Sequence, residues 1–271
     1  MKLYSEESKF YSEKTKEYLI EWGNKRICAI DKLFQRTLDY PEFKYVDYKR
    51  CEEEYQMLGE LSMLVHEDIK KAKEYFFKGA LYGIICMGNK SYFIESHKDF
   101  MINFQRYEYM YYTLLSGNID VAQRYAELMD ELGPKDEQTD YCLFIGKVLK
   151  NVILGNTEDA ERWLGYIDNY KDVKYFQKEM DLEIKMMRGI NRNDEAMFNE
   201  GLSNIIKKSE RRLKPGKSDW GDFLVKSAVA LTALAKHRGM NITVKSVLLP
   251  DEYFVDYDID YKGIEENLRM E

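Results

Sequence analysis

Three stretches in the middle of the chain repeat one pattern, and this repeat restricts the possible folds more than any other feature of the sequence. The stretches span residues 114–122, 152–160 and 187–196. In each, an apolar run leads to a glycine and an asparagine, and an acidic residue and an alanine follow. Ala122, Ala160 and Ala196 mark a period of 38 residues (160 minus 122) and then 36 (196 minus 160).

This pattern predicts a stack of helical hairpins. Glycine has the backbone freedom that a tight turn needs, an acidic residue is favoured at the positive N-terminus of the next helix, and alanine lets two helices pack closely. A period in the mid-thirties with two helices per unit is typical of tetratricopeptide-like solenoids. The turns fit that type, but the full tetratricopeptide consensus is absent, so an irregular helical bundle remains the alternative.

The N-terminal third also favours helices. Apolar residues recur there at steps near three and four, which indicates amphipathic helices. The predicted helical ranges are 5–38 (one helix or two), 48–63 and 69–87. The chain has only 4 prolines and 16 glycines among 271 residues, too few for the many turns of a β-sandwich or barrel.

A helix near the C-terminus is predicted to lie inside the protein. Ser218 or Asp219 can cap its first turn with a side-chain oxygen, and Gly239 can take the left-handed conformation that ends a helix. Residues 223–236 are apolar on nearly every side, as in a helix surrounded by other helices.

We therefore predict an all-α fold of stacked antiparallel helical hairpins, tetratricopeptide-like, with a buried C-terminal helix. The chain is expected to form a single domain, 1–271. Its predicted parts are N-terminal helices in 1–90, helical-hairpin repeats in 91–206, and the central helix with a Leu-Pro element in 218–250.

No motif in the sequence indicates catalysis. The three histidines, His66, His97 and His237, stand in no zinc-ligand spacing and pair with no nearby cysteine. The glycine-rich loops that hold phosphate and the nucleophile elbow of hydrolases are missing too. We predict that the chain is not an enzyme and has no catalytic, cofactor-binding or metal-binding residues. A helical enzyme with a dispersed site remains an alternative.

Charge, hydropathy and cysteines indicate the compartment. The net charge of −7 disfavours non-specific binding to nucleic acid, because phosphates need a positive surface. The longest apolar runs fall far below the roughly 18 residues of a membrane span, and no signal peptide opens the chain. Four widely spaced cysteines without a CxxC pair are typical of small buried thiols in a reducing compartment: Cys28, Cys51, Cys86 and Cys142. We expect a cytoplasmic protein that binds neither nucleic acid nor membrane.

Two groups of residues are candidates for a protein interface. Tyr107, Tyr109, Tyr111 and Tyr112 form the first. Tyrosine suits interfaces because it joins an apolar ring to a hydroxyl, but helical hairpins also use it as packing. The second group is the acidic, aromatic C-terminal segment, which can present carboxylates to a basic partner or remain a solvated tail. Its candidate residues are Asp251, Glu252, Asp256, Asp258 and Asp260.

One part of the chain resembles a known family. Residues 231–239 form an alanine- and leucine-rich helix end with an Arg-Gly pair, residues 241–244 follow, and Leu248-Leu249-Pro250 closes the pattern. This pattern is similar to the C-terminal end of immunity protein family 49, which belongs to bacterial polymorphic-toxin systems. Leu248 stands where tyrosine is common in that family.

The resemblance implies a function without catalysis. Immunity proteins of this kind bind and neutralise a cognate toxin in the cytoplasm, and the acidic surface would help to capture a basic nuclease. The resemblance supplies no binding residues, because the matching positions look buried. The alternative is a tetratricopeptide-like adaptor or peptide-responsive regulator that holds a short segment in its groove.

Overall fold

The structure is a computed structural model that describes residues 12–88, 104–129, 140–169, 177–214, 218 and 220–268. Within these ranges the chain forms α-helices and short 3₁₀ helices and no β-strand, so the all-α prediction is confirmed. The α-helices are α1 (Glu13–Asp39), α2 (Lys44–Leu64), α3 (Ile69–Gly88), α4 (Phe104–Leu115), α5 (Ile119–Glu127), α6 (Asp140–Leu154), α7 (Thr157–Asp168), α8 (Gln177–Asn191), α9 (Glu195–Arg212), α10 (Lys226–His237) and α11 (Tyr261–Glu266). The 3₁₀ helices are Pro41–Phe43, Trp220–Phe223 and Asp251–Phe254.

The N-terminal helices follow the predicted apolar periodicity. α1 is one helix; the Ser12 hydroxyl accepts a hydrogen bond from the Thr15 amide at its start, and Pro41 opens the 3₁₀ turn beyond its end. Residues 5–11 of the predicted range lie outside the described residues. Because the connections are short, α1, α2 and α3 run antiparallel, and α1 and α3 both pack on α2.

Three hairpins, α4–α5, α6–α7 and α8–α9, follow one another along the chain and pack in that order. Each turn has one residue in the left-handed conformation: Gly117 (φ 75°), Gly155 (φ 76°) and Asn193 (φ 51°). The next residues, Asn118, Asn156 and Asp194, are the N-caps of the second helices. They are 38 residues apart (156 minus 118, 194 minus 156). The arrangement is compatible with a tetratricopeptide-like stack, which stays a prediction.

The third repeat differs from its prediction. Gly189 lies inside α8 and not at its end, and the absence of a side chain lets another helix approach: an added Cβ would lie 2.7 Å from the Phe198 amide nitrogen. Ala196 is exposed, whereas Ala122 and Ala160 are buried. The packing role predicted for Ala196 is wrong, because the true turn comes at Asn193. Phe198, four residues after the N-cap, occupies the buried position.

The central helix is buried as predicted but starts later. α10 has Val225 at its N-cap, while the Ser218 hydroxyl accepts a hydrogen bond from the Lys214 amide at 2.8 Å instead of capping a helix. Asp219 lies outside the described residues. The predicted start was wrong because Phe223 ends the 3₁₀ helix Trp220–Phe223 and Leu224 lies in the connection to α10; both are buried there without being part of α10.

α10 occupies the centre of the hairpin stack. It packs on α4, α8 and α9, and most of its residues are buried, including Ala228, Ala230 and Leu231. Gly239 (φ 79°) lies directly beyond its end, as predicted. Residues 240–246 then run along α9 without regular secondary structure. Asn199 fixes this course, since its Oδ1 accepts from the Thr243 amide at 2.8 Å and its Nδ2 donates to the Asn241 carbonyl at 2.9 Å.

The cysteines fit their prediction only in part. Cys51 and Cys86 are buried thiols outside any disulfide, but the Cys28 thiol is exposed, so its predicted burial is wrong. The Cys142 side chain lies outside the described residues. In the part of the chain that the structure describes, no helix is both long enough and apolar enough to span a bilayer.

Candidate partner-binding surface

A buried lysine holds the acidic C-terminal segment, residues 251–260, against α3. The Lys73 ammonium donates a hydrogen bond to the Val255 carbonyl at 2.7 Å and lies 5.2 Å from the centre of the Tyr257 ring. Burial lowers the pKa of Lys73, and the nearby charge of Asp256 opposes this effect. A buried ammonium requires an acceptor, so Lys73 fixes the path of the segment.

Aromatic rings attach the same segment to the core. Tyr253, Phe254 and Tyr257 are half-buried and pack against the main apolar cluster. Farther on, the Tyr261 hydroxyl donates to the Ser116 carbonyl at 2.7 Å, and its ring lies 4.7 Å from that of Phe77. The rings therefore anchor the segment to the core.

The carboxylates of the segment face outward. Asp251, Glu252, Asp256, Asp258 and Asp260 are all exposed. Asp251 pairs with Lys245 at 2.9 Å, and this hydrogen bond lowers the pKa of Asp251. Asp260 caps α11 by accepting from the Gly263 amide at 2.8 Å. Within the described ranges, Glu252, Asp256 and Asp258 form no ion pair. The segment therefore exposes three carboxylates that no neighbouring cation neutralises by direct contact.

The tyrosine cluster lies mostly inside the protein. Tyr107, Tyr111 and Tyr112 are buried, and Tyr109 is half-buried. The Tyr109 hydroxyl donates to Glu53 on α2 at 3.1 Å. Three of the four residues therefore pack between helices, as the second interpretation of the cluster predicted, and Tyr109 is the member that reaches the surface.

Two hydroxyls of this cluster hold half-buried carboxylates from distant helices. Tyr112 donates to Glu60 on α2 at 2.5 Å, and Tyr111 donates to Glu183 on α8 at 2.8 Å. Lys226 on α10 lies 3.9 Å from Glu60. Burial raises the pKa of Glu60 and of Glu183, while the tyrosine hydrogen bonds and Lys226 act in the opposite direction. This polar network joins α2, α4, α8 and α10.

The carboxylates of the network are engaged by other parts of the chain. Its two carboxylates already accept hydrogen bonds from the chain's own hydroxyls, including Ser227 at the start of α10. Among the residues that the structure describes, no group of three or more histidine, cysteine, aspartate or glutamate side chains is placed to hold a metal ion. The two carboxylates therefore join helices that are distant along the chain.

The sequence interpretation missed Lys73, Glu60 and Glu183. Each stands on a helix among apolar neighbours, as Lys73 does between Ala72 and Phe76. A charged residue within an apolar stripe is the signal that would have indicated them. The sequence could not supply their partners, which lie far away along the chain.

A cleft of about 470 Å³ adjoins the acidic segment and separates it from the end of α10. Its walls come from α2, α3, α4, α10 and the segment itself. They include Met63, Lys73, Leu114, Lys236, His237, Met240, Phe254 and Asp256. Carboxylates, ammonium groups and apolar side chains thus meet on one surface, which is our candidate for contact with a partner.

Comparison with protein families gives the context of this surface. A family model described as immunity protein 49 matches residues 105–253, which is 149 of 271 residues (253 minus 105, plus 1). The chain belongs to the immunity protein 49 family. No curated protein and no solved structure matches the chain.

The immunity protein 49 region extends from α4 through α10 and ends inside the 3₁₀ helix Asp251–Phe254. Several of the residues that carried the sequence resemblance pack inside the protein. The Arg238 guanidinium donates to the Val152 carbonyl near the end of α6, and burial lowers the pKa of Arg238. Leu248 and Leu249 are buried. Helices α1–α3, Asp256, Asp258 and Asp260 lie outside the immunity protein 49 region.

Proposed function

We propose that this protein binds a bacterial protein toxin in the cytoplasm and neutralises it by covering the toxin's active site, without transforming a substrate. The observation that carries the proposal is the match of the immunity protein 49 model to more than half of the chain, including the whole hairpin stack. The free thiols of Cys28, Cys51 and Cys86 agree with a reducing compartment.

The acidic C-terminal segment is the proposed contact surface, together with Tyr109. Its outward carboxylates and the net charge of −7 favour a basic toxin, such as a nuclease. Opposite charges accelerate the encounter of two proteins and select the correct orientation. The buried Lys73 and the rings of Tyr253 and Tyr257 hold the carboxylates in place before the toxin arrives, which reduces the entropy lost on binding.

The first experiment tests neutralisation. Bacteria that express the toxin encoded beside this gene are grown with and without the chain, and viable cells are counted. We expect the chain to restore growth, and the two purified proteins to form a complex on size-exclusion chromatography. Growth arrest that persists despite soluble, folded chain would contradict the proposal.

The second experiment tests the surface. The triple variant Glu252→Lys, Asp256→Lys, Asp258→Lys reverses the outward carboxylates, and the control Glu17→Lys, Glu42→Lys, Glu158→Lys makes the same charge change at exposed positions elsewhere. We expect the association rate constant with the toxin to fall about tenfold or more in the first variant and much less in the control. In the first variant this rate constant should also depend less on salt concentration than in the wild type. Equal losses in both variants would mean that net charge matters and this segment does not.

A further inference from the structure

The C-terminal end of α9 exposes three cations. Lys207, Arg211 and Lys214 are exposed, and in the part of the chain that the structure describes their side chains form no ion pair and no hydrogen bond. Lys207 and Arg211 are four residues apart, so they lie on the same side of α9, and Lys214 follows two residues beyond the end of the helix. We call these three residues the basic face.

The basic face lies beside the acidic segment, because one loop contacts both. The Ser246 hydroxyl donates to the Glu210 carboxylate on α9 at 2.6 Å, and Glu210 directly precedes Arg211. The Lys245 ammonium donates to Asp251, the first residue of the acidic segment, at 2.9 Å. Since Lys245 and Ser246 are neighbours in the chain, the cations and the carboxylates occupy adjacent parts of the surface.

Exposed apolar side chains accompany these charges. Val247, next to Ser246, is 57% exposed, and Val255, inside the acidic segment, is 48% exposed. A single exposed apolar residue is ordinary on a protein surface, but here two of them lie among charges of both signs. Apolar side chains with charged residues around them are the usual composition of a protein interface.

A second copy of the chain is the partner that this surface fits. The outward carboxylates of the acidic segment attract cations, and the basic face attracts carboxylates. Both sets lack a direct ionic partner within one molecule, and they lie side by side. A two-fold axis between two copies therefore can place each acidic segment on the basic face of the other copy. A basic partner would satisfy the acidic segment alone and leave the basic face unpaired.

We propose that two copies of this chain form a symmetric dimer in which the acidic segment of each copy lies on the basic face of the other. The dimer covers the carboxylates that are the proposed contact for the toxin, so the toxin and the second copy compete for them. This competition rests on the proposed function, whereas the dimer itself does not. The dimer should be weak, because exposed ion pairs contribute little and the net charge of −7 makes two copies repel each other at long range.

Sedimentation equilibrium of the full-length chain, without toxin, tests the dimer. We expect the average mass to rise with concentration from one chain toward two, and the dimer Kd to increase between about 50 mM and about 500 mM salt. Reversal of the basic face should raise the dimer Kd about tenfold or more. The basic-face variant is Lys207→Glu, Arg211→Glu, Lys214→Glu. Its control makes the same charge change at exposed lysines elsewhere: Lys14→Glu, Lys32→Glu, Lys70→Glu.

Two results of this experiment would overturn the proposal. One is a wild-type chain that stays monomeric at every concentration in low salt. The other is an equal loss of dimer in the basic-face variant and its control, because net charge would then explain the loss. Circular dichroism verifies that each variant is folded.

A mixture of two variants tests the contact between the two sets of charges. The acidic-segment variant, Glu252→Lys, Asp256→Lys, Asp258→Lys, is positive at both sets of positions, and the basic-face variant is negative at both. Neither should dimerise alone, but the two together should form a mixed dimer, because every contact again joins opposite charges. Each triple reversal changes the net charge of −7 by 6, to −1 and to −13, so attraction between whole molecules does not explain the pairing. Variants that stay monomeric when mixed would overturn the proposal.

Addition of the toxin separates this inference from the proposed function. The Kd for the purified toxin encoded by the neighbouring gene is measured by calorimetry. We expect the basic-face variant to bind the toxin at least as tightly as the wild type does, because no second copy competes. A loss of toxin affinity of about tenfold or more in this variant would assign the basic face to the toxin and overturn the inference. A wild-type chain that dimerises but binds no toxin would end the proposed function and leave the dimer, and a monomeric chain that binds the toxin would do the reverse.

Discussion

Two hairpins of this protein, α2–α3 and α8–α9, have the same topology but different interiors. The α2–α3 hairpin lies outside the family region and buries charged side chains: Asp47, Glu52 and Lys73. The α8–α9 hairpin lies inside that region and buries apolar side chains such as Met187, Ile190, Phe198 and Leu202. Gly189 and Gly201 allow its two helices to approach closely.

The two hairpins differ in where the partners of their buried residues lie along the chain. Each buried charge of α2–α3 finds its partner on another part of the chain: Asp47 contacts Arg36 on α1, Glu52 accepts a hydrogen bond from Tyr125 on α5, and Lys73 donates to the carbonyl of Val255. The close approach at Gly189 and Gly201 is a contact within the α8–α9 hairpin, although Glu183 of α8 accepts a hydrogen bond from Tyr111 on α4. The α2–α3 hairpin therefore depends more on partners elsewhere in the chain than the α8–α9 hairpin does.

The largest effect is expected at the buried ion pair of the N-terminal helices. Arg36 is partly exposed, but Asp47 is fully buried, so Arg36→Leu leaves a buried carboxylate without its cation. We expect the free energy of unfolding to fall by about 3–5 kcal/mol, measured by urea denaturation. The double variant Arg36→Leu, Asp47→Leu should recover much of this loss. Lys25→Leu, which breaks an exposed pair with Glu21, is the control and should have little effect. An equally small effect at Arg36 would show that the buried pair does not fix α1 on α2.

The second-largest effect on stability is expected at the glycines of the hairpin stack. A Cβ at residue 189 would lie 2.7 Å from the backbone nitrogen of Phe198, and a helix backbone cannot move aside as a flexible side chain can. We expect Gly189→Ala to reduce the free energy of unfolding by about 1–3 kcal/mol. Gly165→Ala on α7 meets no atom within 4 Å and should stabilise by about 0.5–1 kcal/mol, because alanine is the better helix former. Effects of the same sign would mean that close approach does not define the α8–α9 hairpin.

The comparison also explains how much of the fold could be predicted from the sequence. Local patterns predicted α1–α3, the turns at Gly117 and Gly155 and the burial of α10, because periodicity and glycine are signals within one segment. The turn at Asn193 was misplaced, since Gly189 has the same residue type but a packing role. Sequence does not distinguish a glycine that makes a turn from one that admits a neighbouring helix.

The candidate site was predicted less completely for a related reason. The exposed carboxylates of Glu252, Asp256 and Asp258 were expected from composition, whereas the sequence left open whether the segment packs on the protein or stays a solvated tail. Lys73, which holds the segment, is 182 residues from Val255 along the chain, and no spacing rule links them. The burial of Tyr111 and Tyr112 likewise depends on helices that are distant in sequence.

A pH experiment separates the buried network from the surface pairs. Burial raises the pKa of Glu183, so its contribution to stability is present below the unfolded pKa and is lost as pH rises through the folded pKa. As pH rises above the unfolded pKa of glutamate, the wild-type chain should therefore lose stability relative to Glu183→Gln. The contribution of Glu161 to stability changes with pH in the opposite direction. The hydrogen bond from Arg192 lowers the pKa of Glu161, so this contribution is lost as pH falls. Glu161→Gln should differ from the wild type most at high pH. Parallel pH profiles for the two variants would contradict this assignment.

The smallest effect on stability is expected at a surface ion pair that joins the immunity protein 49 region to the C-terminal helix α11. Arg124 on α5 contacts Glu265 on α11 at 2.9 Å, and both side chains are nearly half exposed. A double-mutant cycle with Arg124→Gln and Glu265→Gln should give a coupling of about 0.5 kcal/mol or less, which vanishes at high salt. Tyr261→Phe is the matched test of an uncharged link in the same place, since its hydroxyl donates to the Ser116 carbonyl, and it should cost about 1 kcal/mol at any salt concentration. A larger effect at the charged pair than at Tyr261 would mean that surface electrostatics attach the family region to the rest of the chain. Buried contacts such as those of Lys73 and Asp47 would then not be what holds the N-terminal helices in place.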